Sequence, residues 1–197
     1  VEEPELGGFD RMCEAYRTMG KVTIAELRGR VGGGGAELSS ACDMRFGDLE
    51  TFQWNQMEVP LGILPGGGGT QRIPRLVGIG RAMEVVLGAD DVDAETAERW
   101  GFLNRAMSGD SLSAYVDALA TRIASFPPAA VREAKRAVNA SVERSLDEGL
   151  KYESYLFQVL LRDVDAQPSM RQYLDAGGQT RDVELRIGSV MGELFDT

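Results

Sequence analysis

The chain contains no histidine. That absence excludes a Ser-His-Asp triad, a Cys-His nucleophile pair and every histidine-bearing zinc site, so acid–base work falls to carboxylates, Lys, Tyr or Cys. Cysteine is scarce. Cys13 and Cys42 are too few and too far apart in sequence for a CxxC site or a disulfide framework, and two buried thiols are the pattern of a reducing, cytoplasmic setting. No apolar run approaches the roughly 18 residues of a membrane-spanning helix, and residues 1–8 are acidic, without the basic and apolar regions of a signal peptide. Positive charge is in deficit: 21 Lys and Arg against 31 Asp and Glu leave a net charge of -10, which repels phosphate backbones and anionic membrane surfaces. Neither nucleic acid nor membrane is an expected partner. What is present, 197 residues with 43% hydrophobic content, suffices for a globular unit with a proper core.

Periodicity divides the chain into a strand-rich front and a helical tail. Phe9, Met12, Cys13, Tyr16 and Met19 follow helical spacing and predict a helix over 9–19. The β-branched run over 22–27 predicts a buried strand, followed by a helix over 34–41 and strands over 43–46 and 51–54. Residues 70–87 are helical in pattern, with interruptions expected at Pro74 and Gly78. From Ser111 onward helices are predicted over 112–126, 128–140, 146–161, 170–176 and 183–194. The order predicts an α/β layer over 1–109 followed by a helical region over 110–197. Tyr152, Tyr155, Leu156, Val159 and Leu160 form a broad apolar stripe that suits either the chain's own core or a neighbouring subunit.

Four glycines in a row occur twice, at Gly32–Gly35 and Gly66–Gly69. Neither run continues into Lys-Ser or Lys-Thr, and the chain has no G-x-G-x-x-G, which disfavours a nucleotide or dinucleotide site. A strand, a glycine turn and a helix start leave backbone N–H groups unpaired, able to hold a carboxylate, a phosphate or a developing oxyanion. Glu37 falls in the first helical turn after the first run and Glu58 shortly before the second. Two carboxylates sharing a pocket are poised for proton transfer. Their plainer reading is a helix-dipole partner for Glu37 and a solvated loop residue for Glu58. Trp54 likewise suits an acyl pocket or plain core.

Gly33-Gly34-Gly35-Ala36-Glu37-Leu38 with Ala41-Cys42-Asp43, then Gln56-Met57-Glu58-Val59-Pro60-Leu61-Gly62-Ile63-Leu64-Pro65-Gly66-Gly67-Gly68-Gly69-Thr70-Gln71-Arg72, closely resembles the crotonase superfamily of enoyl-CoA hydratases and isomerases. The similarity runs through Leu76-Val77-Gly78, Arg81-Ala82-Met83-Glu84, Asp93-Ala94 and Gly101-Phe102-Leu103-Asn104-Arg105 to Ala134-Lys135. The resemblance implies an α/β crotonase-like spiral of ββα units with a C-terminal helical oligomerisation region, the amino-terminal part of the spiral being absent from this sequence. It also implies that Glu37 and Glu58 position and activate one water and that the Gly34 N–H holds a thioester oxygen. Gly33, Trp54, Met57 and Gly66 would border the substrate, an acyl-CoA thioester. No cofactor is implied beyond the coenzyme A carried by that substrate, and a homotrimer or hexamer is expected. The second glycine run is expected to serve mainly as a turn. Two alternatives stand beside hydration: double-bond isomerisation by Glu58 alone, and a non-catalytic module that binds acyl-CoA or oligomerises.

Overall fold

The computed structural model of the chain describes residues 5–195. The strands are β1 (Ile24–Leu27), β2 (Arg30–Gly32), β3 (Met44–Asp48), β4 (Gln53–Asn55), β5 (Val92–Asp93) and β6 (Arg105–Met107). The helices are α1 (Gly8–Thr18), α2 (Gly34–Ala41), α3 (Gly69–Val77), α4 (Ile79–Gly88), α5 (Ala94–Trp100) and α6 (Gly109–Ala124), then α7 (Pro128–Ala140), α8 (Leu146–Leu160), α9 (Ala166–Asp175), α10 (Arg181–Glu184) and α11 (Ile187–Phe195). They form two compact units. The first comprises the chain through Met19 together with Thr23–Asp117, and the second comprises Gly20–Val22 and the chain from Ala118 onward.

The first unit holds two small sheets, ordered β1-β3-β6 and β2-β4-β5. All pairs are parallel except β4 with β5. Parallel neighbours need crossover connections, and the β2–α2–β3–β4 stretch supplies one in which α2 leaves one sheet before the chain returns to it. Between and around the sheets lies one apolar cluster containing Val31, Phe52, Trp54, Ile73, Val77, Val85, Phe102 and Leu103. At its centre Trp54 stacks on Phe102, with ring centroids 4.0 Å apart and planes 9° from parallel. Arg45 on β3 is buried, yet its Nε donates to the Phe102 carbonyl at 2.7 Å and its Nη1 to the Cys42 carbonyl at 2.7 Å. Burial pushes its pKa down from the ordinary arginine value, but carbonyls at the C-terminal end of α2 meet the cation and fix that helix against the sheet.

The second unit is helical apart from its loops. Helix α8 opens with a capping box in which Ser145 and Glu148 satisfy each other's backbone N–H groups. It buries Leu156 but leaves Leu146, Leu150, Tyr155, Phe157 and Val159 exposed.

Several expectations shift. Helix α3 continues through Pro74, because the proline withdraws only its own N–H while its carbonyl still accepts the Gly78 N–H at 3.0 Å; the break comes only at Gly78. The single helix expected over 183–194 is two, α10 and α11, separated by Leu185 and Arg186. Strands β2, β5 and β6 and helix α5 have no counterpart in the sequence expectations. Among the described residues no helix is long and apolar enough to cross a membrane.

Candidate active site

The first glycine run turns the chain from β2 directly into α2. Gly33, the residue before the helix, has φ 53 and ψ -126, a backbone conformation that side chains resist, and its N–H donates to the Asn55 carbonyl at the end of β4 at 3.3 Å. That turn sets Glu37 in the first turn of α2, where its N–H donates to the Gly33 carbonyl at 3.0 Å. The Glu37 carboxyl is buried, the residue being 4% exposed. Its Oε1 accepts from two backbone donors of the second run, the N–H of Gly67 at 2.7 Å and that of Gly69 at 2.9 Å. The second run is therefore more than a turn: it is the cradle that orients Glu37 through charge-assisted hydrogen bonds. A dipole partner alone would not require these donors.

Glu58 is held differently. It precedes a 3₁₀ turn, Val59–Leu61, and is half-buried. The fully buried Gln56 turns its amide nitrogen toward Glu58, an orientation assigned from the partners themselves, and donates to Oε1 at 3.2 Å and Oε2 at 2.9 Å. Glu58 Oε1 also lies 3.1 Å from where a Cβ on Gly33 would stand, which rules out a simply solvated loop residue.

The two glutamates border the same pair of glycine runs. A Cβ built on Gly69 would lie 3.1 Å from Glu37 Oε1 and 2.9 Å from the Gln56 amide, the group that holds Glu58. Gly33, Glu37, Gln56, Glu58, Gly67 and Gly69 thus form one site, with one carboxylate gripped by main chain and the other by a side-chain amide. Beside it the N–H of Gly34 finds no partner among the described residues, and Gly34 is exposed. A Cβ on Gly34 would stand 3.5 Å from Phe9 Cζ of α1, at ordinary contact.

Of the residues expected to border the substrate, Gly33 and Met57 lie at Glu58: Met57 is exposed, with Cγ 3.8 Å from a Cβ on Gly33. Gly66 sits at the exposed start of the second run. Trp54 requires correction, because it is 0% exposed and stacked inside the core, where aromatic burial has claimed it. Gln56, Gly67, Gly69, Phe9 and Arg72 are site neighbours that sequence reasoning did not single out. For Gln56 a signal existed, since residues two apart on an extended segment share a face and Gln56 stands two before Glu58.

Behind the second run, Arg72 of α3 pairs with Glu14 of α1, Nη2 to Oε1 at 2.7 Å, while Arg17 takes the other Glu14 oxygen at 2.8 Å. Burial pushes Glu14 upward, but hydrogen bonds from Arg17 and Arg72 outweigh it and hold the carboxyl below its ordinary value. The neighbouring Cys13 is fully buried, and burial pushes its thiol up against the pull of Arg72.

The sequence profile of the enoyl-CoA hydratase/isomerase family matches residues 7–180. The chain belongs to this family. Among enoyl-CoA hydratase/isomerase relatives, a Rhizobium meliloti protein named "Probable enoyl-CoA hydratase" is 39% identical over 169 residues, spanning 86% of this chain and 64% of its own length. The crotonyl-CoA hydratase of Syntrophomonas wolfei is 37% identical over 176 residues, covering 89% of this chain and 67% of that protein. Among solved structures, the enoyl-CoA hydratase of Bacillus anthracis superposes with a TM-score of 0.81 at 32% identity, covering 86% of this chain and 65% of that one. The crotonase-like architecture is thus shared, and the chain spans just under two thirds of the length of the first of these relatives.

Proposed function

We propose that the chain carries the hydratase half-site of an enzyme adding water to a 2-enoyl-CoA thioester. One observation carries this reading: two glutamates border the paired glycine runs, Glu37 held by the second run and Glu58 beside the first, each by its own donors. In the proposed reaction Glu37 and Glu58 share a single water. Its oxygen bonds to the β-carbon while the thioester oxygen gains negative charge, and a proton passes through Glu58 to the α-carbon, so that one water is consumed without a redox change. The unpartnered Gly34 N–H at the start of α2 meets the developing oxyanion, where a preorganised donor is worth several kcal/mol. Burial of Glu37 supports the dry surroundings such electrostatics need.

A panel of enoyl-CoA thioesters, followed by loss of their conjugated absorbance beside an assay for double-bond migration, tests the reading. Hydration should dominate. Migration without hydration would replace this reading by isomerisation through Glu58.

We further propose that the exposed apolar face of α8 serves assembly. Tyr155 is 63% exposed and Val159, one turn on along the same face, 40%, more than a solvated helix gains by displaying. Sedimentation at micromolar concentration should show a trimer or hexamer, and a clean monomer would refute this.

A further inference from the structure

Gly67 is the pivot of the site, and it has no side chain with which to hold itself. Its N–H donates to Glu37 Oε1 at 2.7 Å and its carbonyl accepts from Arg72 Nη1 at 2.8 Å. The same guanidinium uses Nη2 to grip Glu14 at 2.7 Å, and the Arg72 side chain is only 15% exposed. The next residue, Gly68, bends through φ 102 and closes over the guanidinium so tightly that a Cβ there would overlap Nη1. A glycine loses more conformational freedom on ordering than any other residue, so a run of four needs external anchors to aim its N–H groups. Arg suits the task because its planar fork serves two acceptors at once, whereas a lysine ammonium has no such fixed geometry.

From this we infer that Arg72 is a positioning residue: anchored on α1 by Glu14, it fixes the Gly67–Gly68 peptide, which lies between the two peptides whose N–H groups, of Gly67 and Gly69, hold the Glu37 carboxylate. The inference rests on the hydratase reading for its consequence in turnover, but not for its structural content. Arg72 touches neither Glu37 nor Glu58 through any hydrogen bond of the described residues; it acts through main chain.

The test combines amide hydrogen exchange with kinetics on Arg72→Met, Arg72→Lys and Glu14→Gln. Arg72→Met should speed exchange at Gly67 and Gly69 by at least about 10-fold while the β1–β3 amides keep their wild-type protection. Turnover of an enoyl thioester should fall by roughly 10- to 10²-fold in kcat with KM nearly unchanged, the scale expected when a reacting group is misplaced. Arg72→Lys, able to satisfy one acceptor but not both, should lie between wild type and Arg72→Met, and it stands in if the methionine variant does not fold. Glu14→Gln should show the same pattern in milder form. Unchanged exchange at Gly67 and Gly69, or acceleration spread evenly over the unit, would overturn the inference. If no form of the chain turns over a thioester, the hydratase reading fails, and the exchange pattern still decides the role of Arg72.

Discussion

Glu37→Gln is expected to lower hydration of an enoyl thioester by at least about 10²-fold while leaving the fold intact, the scale of losing a positioned acid or base. The substitution keeps the size of the side chain, and a glutamine carbonyl can still accept the Gly67 and Gly69 N–H groups that Glu37 Oε1 accepts at 2.7 and 2.9 Å. What is lost is the charge and proton capacity of the second oxygen. Glu58→Gln should cost a similar factor, but with a looser loop, because Gln56 donates to both Glu58 oxygens and a glutamine would turn one of these contacts into donor against donor. Steady-state kinetics with a melting curve for each variant checks both. Intact hydration in Glu37→Gln with none in Glu58→Gln would move the assignment to a single-carboxylate isomerase.

The glycine runs should divide sharply in a second experiment. Gly69→Ala is expected to reduce turnover by roughly 10²-fold, the scale of a displaced reacting group, and to destabilise the protein by about 1–3 kcal/mol through overpacking. A Cβ on Gly69 would stand 2.7 Å from Pro65 Cβ and would press on both the Gln56 amide and Glu37. Gly67→Ala should behave similarly, since its Cβ would fall 2.6 Å from Glu37 Oε2 and onto the Phe9 ring. By contrast, Gly34 is not among the glycines with positive φ, and its Cβ would meet only Phe9, at ordinary contact. Gly34→Ala should therefore melt within a degree or two of wild type, leaving any loss of turnover to crowding at the proposed oxyanion donor. Equal stability and activity across these variants would show that the second run holds nothing.

This reverses the weight that sequence reasoning placed on the two runs, and the reason is physical. A run of glycines announces a turn, yet the direction of its N–H groups is decided by partners far away in the chain: Glu37 lies 30 residues before Gly67. Helices α2 and α7 were legible to the residue because their start and stop signals are local, a glycine turn for one and an opening proline for the other. Strands β2, β5 and β6 are two or three residues long, too short to show a period, and exist because β4 and β3 offer them an edge. Helix α5 is seven residues and depends on Asp93 accepting the Thr96 N–H at 2.8 Å. Glu37 and Glu58 were visible as residues through the family resemblance, but the donors that hold them were not, because Gly67, Gly69 and Gln56 come from distant or neighbouring parts of the chain. Trp54 shows the converse: the same aromatic serves a pocket or a core, and only the Phe102 ring stacked on it decides.

Running the reaction in water labelled with heavy oxygen and weighing the product decides whether Glu37 and Glu58 share one water and add it across a double bond. Wild type should form a 3-hydroxyacyl thioester carrying one labelled oxygen, and both Glu37→Gln and Glu58→Gln should suppress it. A product of unchanged mass formula with its double bond displaced and no labelled oxygen would contradict it.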